Sequence, residues 1–291
     1  MAGITFVDAV NFPSGNGTGD DRYGFDEGTG TAWVVDGATD VGTRRVFPDM
    51  VEREASGPLL FESDAAWYAD TLNAALTAPP RSGEAPRAYL ERIIDGVAET
   101  ARTEAVVNLD AEPRYNLPSA GGIWMRCEGG SVDFAALGDC VAIVRSGSHT
   151  HFVGQLDLIK AEHALNRQQL AEPAGKAGGY ANARETRGLM NTEGHHWVFS
   201  LHPEAAARAE TDRVRVSEGD HVLLMSDGFF RLVEPYGICT VETLMDRALE
   251  EDGLLALIRD LRNAERNPED DVKIGRLKTK DDATALLVQV E

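Results

Sequence analysis

Thr31-Ala-Trp-Val-Val-Asp-Gly-Ala-Thr-Asp-Val-Gly42 joins a short run of apolar and β-branched residues to a carboxylate and a glycine. Thr31 to Val35 reads as a strand buried on both faces, and Asp36-Gly37 as the tight turn that ends it. A second stretch repeats the form: His221-Val-Leu-Leu-Met-Ser-Asp-Gly228, an apolar strand ending in Asp227-Gly228. A third inverts it, with Asp281-Asp282 opening the strand Ala-Thr-Ala-Leu-Leu-Val-Gln-Val290. Three acids at the ends of three buried strands are placed to converge. Converging carboxylates repel one another unless a cation neutralises them, so the economical reading is a metal site.

Working outward, 291 residues at 43% hydrophobic are enough to bury a large core. A net charge of −20 argues against nucleic acid or an anionic membrane as partner. No stretch has the apolar length of a membrane span, and the first residues lack the pattern of a signal peptide. Three scattered cysteines, Cys127, Cys140 and Cys239, are not at metal-ligand spacing and read as buried thiols of a reducing cytoplasm.

A first strand is expected near Ile4, a Gly- and Asn-rich loop after Phe12, and a polar cluster Asp20-Asp21-Arg22 before the run Tyr23 to Phe25. Helical spacing predicts helices over residues 62–78 and 85–109, the first ended by Pro79-Pro80. Residues 122–144 read as an antiparallel meander with turns at Glu128-Gly129-Gly130 and Gly138-Asp139. Residues 156–192 turn polar and read as a mobile, partly helical flap over the sheet edge. A strand is expected at 197–200, and helices at 241–250 and 254–264 precede the last strand. The class is α+β, a single domain over residues 1–291 with helices on both outer faces of a sheet pair.

The order of these motifs resembles the metal-dependent type-2C (PPM) family of serine/threonine protein phosphatases. Asp20-Asp21-Arg22 is similar to that family's first acidic motif, and Val34-Val-Asp-Gly37 to its hydrophobic-Asp-Gly motif. Phe134-Ala-Ala-Leu-Gly-Asp-Cys140, Leu223-Leu-Met-Ser-Asp-Gly-Phe229 and Asp281-Asp-Ala-Thr-Ala-Leu-Leu-Val288 resemble three later motifs, in family order. The resemblance implies an α/β/β/α sandwich of two antiparallel sheets flanked by helix pairs. It implies that Asp36, Asp227 and Asp281 hold one divalent ion. Asp36 would bridge to a second, joined by the carbonyl of Gly37 and by Asp21 or Asp20. Oxygen ligands without His or Cys select Mg2+ or Mn2+. Such a centre would activate a water for attack on a phosphomonoester of a phosphorylated protein, with Asp36 and Asp227 catalytic through that water and no covalent intermediate.

The sequence departs from the family around the substrate. Asn16 stands roughly where many members carry a phosphate-gripping Arg, and Arg44 and Arg45 are the candidate replacements. Ala38 stands where some relatives place a His. His195, His196 and His202 are read as ordinary structural histidines. Asp139 would hold a third ion or merely cap a turn, and its usual acidic companion is replaced in Phe229-Phe-Arg231. Two other functions stand beside the protein phosphatase: a pseudophosphatase that binds a partner, and a phosphatase of small phosphoesters.

Overall fold

The computed structural model describes residues 3–15, 17–53, 57–173, 175–266, 274–275 and 278–291. Asn16 lies outside them. In chain order the strands and helices are β1 (Ile4–Phe12), β2 (Arg22–Asp26), β3 (Thr31–Gly37), β4 (Met50–Arg53), β5 (Gly57–Leu60), α1 (Asp64–Leu76) and α2 (Pro86–Glu104). They continue with β6 (Ala120–Glu128), β7 (Ser131–Leu137), β8 (Val141–Ser146), β9 (His149–Val153), α3 (Leu156–Leu170) and α4 (Gly175–Gly188). The last are β10 (Glu210–Arg215), β11 (His221–Met225), the single turn α5 (Asp227–Phe230), α6 (Val241–Ala248), α7 (Gly253–Ala264) and β12 (Ala283–Val290).

Two five-stranded antiparallel sheets, ordered β1-β12-β11-β8-β9 and β10-β7-β6-β3-β2, carry the architecture, and β4-β5 form a small hairpin apart. Strand β3 shows why they stack. Its residues alternate in direction, so Ala32 and Val34 pack with Val222, Leu224, Leu286 and Val288 of the other sheet. Trp33 and Val35 face the opposite way and pack with Trp67, Leu72, Tyr89 and Ile93 of α1 and α2. On the far side, Leu223, Met225, Ala285 and Leu287 pack beneath Leu244, Met245, Leu257 and Leu261 of α6 and α7. Strands covered on both faces must be apolar throughout, which is the continuous run seen in the sequence. The layers are therefore α/β/β/α, as the motif order implied.

Helix α1 starts where Ser63 Oγ accepts the Ala66 N–H at 2.8 Å, an N-cap that satisfies one orphan donor. Helix α2 opens on Pro86, whose missing N–H costs nothing in the first turn. It ends at Glu104 rather than near Leu109. Ala105 is extended and the Val106 N–H turns to the Val46 carbonyl at 3.0 Å, so a tertiary bond replaces the next helical one. The strand expected at 197–200 reduces to one bridge, Ala120↔Phe199. Strand β6 is already paired with β3 and β7, and only its first two residues, Ala120 and Gly121, lie beyond the end of β7. Within the 156–192 stretch the chain forms α3 and α4. No helix among the described residues is long and apolar enough to cross a membrane. All three cysteines are free and buried.

Candidate active site

The sandwich brings together acids from both sheets. Asp36 is the penultimate residue of β3 and pairs across the ladder with Gly121 of β6. Asp139 sits in the turn from β7 to β8, and Gly121 makes room for it: a Cβ there would meet the Asp139 carboxylate at 2.6 Å. From the other sheet come Asp227, the first residue after β11 and its cap Ser226, and Asp281, just ahead of β12. The Ser226 N–H donates to the Thr284 carbonyl at 3.0 Å, and the Thr284 N–H to Ser226 Oγ at 3.0 Å, which fixes these two strand ends side by side. Asp36, Gly37, Asp139, Asp227 and Asp281 line one pocket of about 140 Å3, together with Lys278.

Asp20 and Asp21 stand behind this pocket. The Asp20 carbonyl accepts the Gly37 N–H at 3.2 Å, and its carboxylate accepts Ser63 Oγ–H at 2.7 Å. Burial raises the Asp20 pKa, the Asp282 charge adds to the rise, and the Ser63 bond opposes it. Asp282 ties the loop to β12 by accepting the backbone N–H groups of Ser14, at 2.6 Å, and of Asp20. Asp21 is fully buried, and neither of its carboxylate oxygens has a hydrogen-bond partner. Burial first, then the charge of Asp282, pushes its pKa up to about 8, against the neighbouring Ser226 and Thr284 hydroxyls, which favour the ionised form.

The acids facing each other differ in charge state. Burial, then the charges of Asp21 and Asp227, raises Asp36 well above the usual carboxylate range. Burial also pushes Asp227 upward, but the Arg231 cation, a shared proton with Asp36, and the charges of His163 and Lys278 outweigh it and leave Asp227 low. Asp281 is ion-paired twice, to Arg231 and, at 3.2 Å, to Lys278. Acids raised by burial and then by mutual repulsion, one of them with both oxygens orphaned, fit a hard divalent cation on the Asp36 side of the pocket. Carboxylate oxygens of Asp36 and Asp139 and the Cys140 thiol come within 4.8 Å of one another. Burial and the surrounding acids hold Cys140 well above its ordinary pKa, so it stays a neutral thiol and a poor ligand.

The arginines expected to grip phosphate lie elsewhere. Arg44 pairs with Glu112, and Arg45 with Asp49 at 2.7 Å and Asp64 at 3.2 Å. Both line an adjoining cavity of about 200 Å3, not the acidic pocket. Arg187 of α4 lines the same cavity and donates to the Thr39 carbonyl at 3.3 Å, so the 156–192 segment reaches the loop after Asp36. Sequence reasoning missed Lys278, whose only signal is its place three residues before Asp281. It also missed Gly121 and the tethering role of Asp282.

By sequence alone, neither a family model nor a curated protein matches the chain. By structure, it is similar to the serine/threonine phosphatase PstP/Ppp of Mycobacterium tuberculosis, with a TM-score of 0.56 and 12% identity over 99% of this chain and 98% of that one. The chain has the fold of these phosphatases. It is likewise similar to the serine/threonine phosphatase Stp1 of Staphylococcus aureus, with a TM-score of 0.56 and 13% identity over 99% of this chain and 96% of that one. A third is PppA, described as a key regulatory component of T6SS in Pseudomonas aeruginosa, at TM-score 0.51, 14% identity and full coverage of both chains. The catalytic domain of PstP has been solved in complex with two manganese ions, and resembles this chain at TM-score 0.51 and 12% identity, covering 100% of this chain and 99% of that one. At such identities the likeness is one of fold, and it agrees with the PPM resemblance read from the motifs.

Proposed function

We propose that this chain is a divalent-metal-dependent phosphatase that hydrolyses phosphomonoesters of serine or threonine on a phosphorylated protein, with residues 1–291 acting as one catalytic domain. The observation that carries the reading is the pocket where Asp36, Asp139, Asp227 and Asp281 converge from both sheets, backed by the buried and unpartnered Asp21. Asp36, Asp139 and the Gly37 carbonyl would hold Mg2+ or Mn2+, with Asp227 beside them. Such an ion supplies Lewis acidity, lowering the pKa of a water and offsetting charge on the phosphoryl oxygens.

The protein's own groups account for the rest. Asp227, whose pKa lies low, is ionised at neutral pH and fit to orient a water by accepting its hydrogen bond. Asp20 and Asp282 hold the loop that sets Asp21 behind Asp36. Among the described residues lining the pocket the one hydroxyl is that of Thr39, and no His stands beside it to activate it, which favours direct attack by water over a covalent phosphoenzyme.

The test is hydrolysis of p-nitrophenyl phosphate and of phosphopeptides by the purified chain, with EDTA, Mg2+ or Mn2+, beside Asp227→Asn. Turnover that needs the metal and collapses in Asp227→Asn supports the proposal. Turnover indifferent to EDTA sinks it. The pairing of Asp281 with Arg231 and Lys278 favours one second reading, a binding module that keeps the fold without turnover. Mn2+ binding without hydrolysis of any phosphoester would select it.

A further inference from the structure

The motif resemblance makes Asp281 a metal ligand, but its carboxylate is already engaged by side chains. Oδ2 accepts from Arg231 Nη2, and Oδ1 accepts from Lys278 Nζ at 3.2 Å and from the Asp282 N–H at 3.2 Å. Arg231 is buried and replaces the acid that the resemblance expects shortly after Ser226-Asp-Gly228. A guanidinium does not lose its proton in a protein, so Arg231 holds Oδ2 permanently and Lys278 decides whether Oδ1 is open to another cation. Lys278 lines the pocket itself, alongside Asp36, Asp139 and Asp227. On the opposite side, among the described residues, neither Asp36 nor Asp21 forms an ion pair with a cation. The pocket is thus divided between Asp36 and Asp21, which have no ion-paired cation among the described residues, and Asp281, whose charge is already compensated.

We propose that Lys278, held by Asp281 and backed by Arg231, takes the place of one divalent ion, so that the site binds a single Mg2+ or Mn2+ on the Asp36–Asp139 side and grips the substrate's phosphoryl oxygens with the lysine ammonium. A second divalent ion at Asp281 would meet two cations already bonded to that carboxylate, and like charges at such range repel. An ammonium presents three donors and a point charge, which suits the oxygens of a phosphate monoester. The same arrangement answers the lack of an Arg near residue 16: the clamp is carried on the loop before β12 instead. This inference rests on the phosphatase reading.

The test counts bound metal and reads phosphate binding, independently of turnover. Equilibrium dialysis of the full chain against Mn2+, with electron paramagnetic resonance of the bound ions, is expected to give one Mn2+ per chain and no Mn–Mn coupling. Lys278 is one-third exposed, so Lys278→Ser should fold. That variant is expected to gain a second, coupled Mn2+ and to bind inorganic phosphate about tenfold more weakly, the loss of one charge-assisted hydrogen bond. Lys278→Arg should keep one Mn2+ and most of the phosphate affinity. Two coupled Mn2+ ions in the unaltered chain would overturn the proposal, as would a Lys278→Ser variant unchanged in both count and phosphate affinity. Either result with metal-dependent hydrolysis intact leaves the phosphatase reading standing. A chain that takes up no Mn2+ and hydrolyses regardless of EDTA removes that reading as well.

Discussion

The two sides of the acidic pocket are built from the same residue type and differ in what opposes it. Asp36 and the buried Asp21 face other carboxylates, whereas Asp281 is bonded to Arg231 and Lys278. A carboxylate without a cation is a cost in the metal-free chain, and one paired to a buried guanidinium is part of the structure. Motif matching treats these acids alike. Their neighbours separate them into a side prepared for a ligand and a side already complete.

The sharpest way to break that comparison is to neutralise one acid on each side. Asp281→Asn leaves the buried Arg231 without its carboxylate, and is expected to destabilise the metal-free chain by about 3 kcal/mol or more. Asp36→Asn removes one of several repelling charges and should leave the metal-free chain equally stable or more so. Activity should rank the other way, with hydrolysis falling by roughly 100- to 1,000-fold in Asp36→Asn, the size of loss seen when a transition-state charge stabiliser is removed. Denaturant melts in EDTA, paired with initial rates in Mn2+, measure both. Equal stability losses in the two variants would erase the distinction.

A second contrast lies in the backbone. Beside Asp281, a Cβ on Gly228 would come within 1.8 Å of the Asp282 carbonyl, an atom fixed by its place at the start of β12. Across the pocket, a Cβ on Gly121 would crowd the Asp139 carboxylate, which has rotamers to give, and its next neighbours stand at ordinary contact distance, 3.6 Å and beyond. Gly228→Ala is therefore expected to cost about 3 kcal/mol, at the upper end of overpacking effects, and Gly121→Ala about 1 kcal/mol. The milder variant should still bind Mn2+ several-fold more weakly, because the displaced group is a candidate ligand. If Gly121→Ala leaves Mn2+ affinity untouched, Asp139 is a turn residue and not a metal ligand.

These contrasts also mark where the sequence stopped being legible. The sheets could be read because strands covered on both faces must be continuously apolar, and the acids because Asp-Gly ends such strands at Asp36 and Asp227. The end of α2 and the 197–200 segment differ from their local patterns because a few tertiary bonds, Val106 to Val46 and the reciprocal pair between Phe199 and Ala120, set them, and no local pattern encodes those. Arg44 and Arg45 stood close to Asp36 in sequence, but Glu112, Asp49 and Asp64 claim them. Lys278 was invisible for the converse reason. It belongs to no periodic segment, and only the approach of the loop to the strand ends gives it a role.

An acid–arginine pair far from the pocket supplies the control for the Asp281 side. Glu84 accepts from Arg92 Nε at 2.9 Å and Nη2 at 2.8 Å, fastening the loop before α2 to that helix. The Arg92 bond, followed by a backbone N–H from Arg81 and working against burial, lowers Glu84 from 4.5 to about 2. A carboxylate with a depressed folded-state pKa contributes stability that is fully present above its unfolded value. That contribution fades as pH falls from about 4.5 through about 2. Glu84→Gln should therefore cost less than about 1 kcal/mol at pH 6, since a pair near the surface is screened by solvent. The difference from the unaltered chain should shrink toward zero in urea melts near pH 2. Mn2+ binding and hydrolysis should not change at all. If this variant altered either one, pairing an acid with an arginine would influence the pocket from a distance, and the compensated state of Asp281 could no longer be ascribed to the groups that touch it.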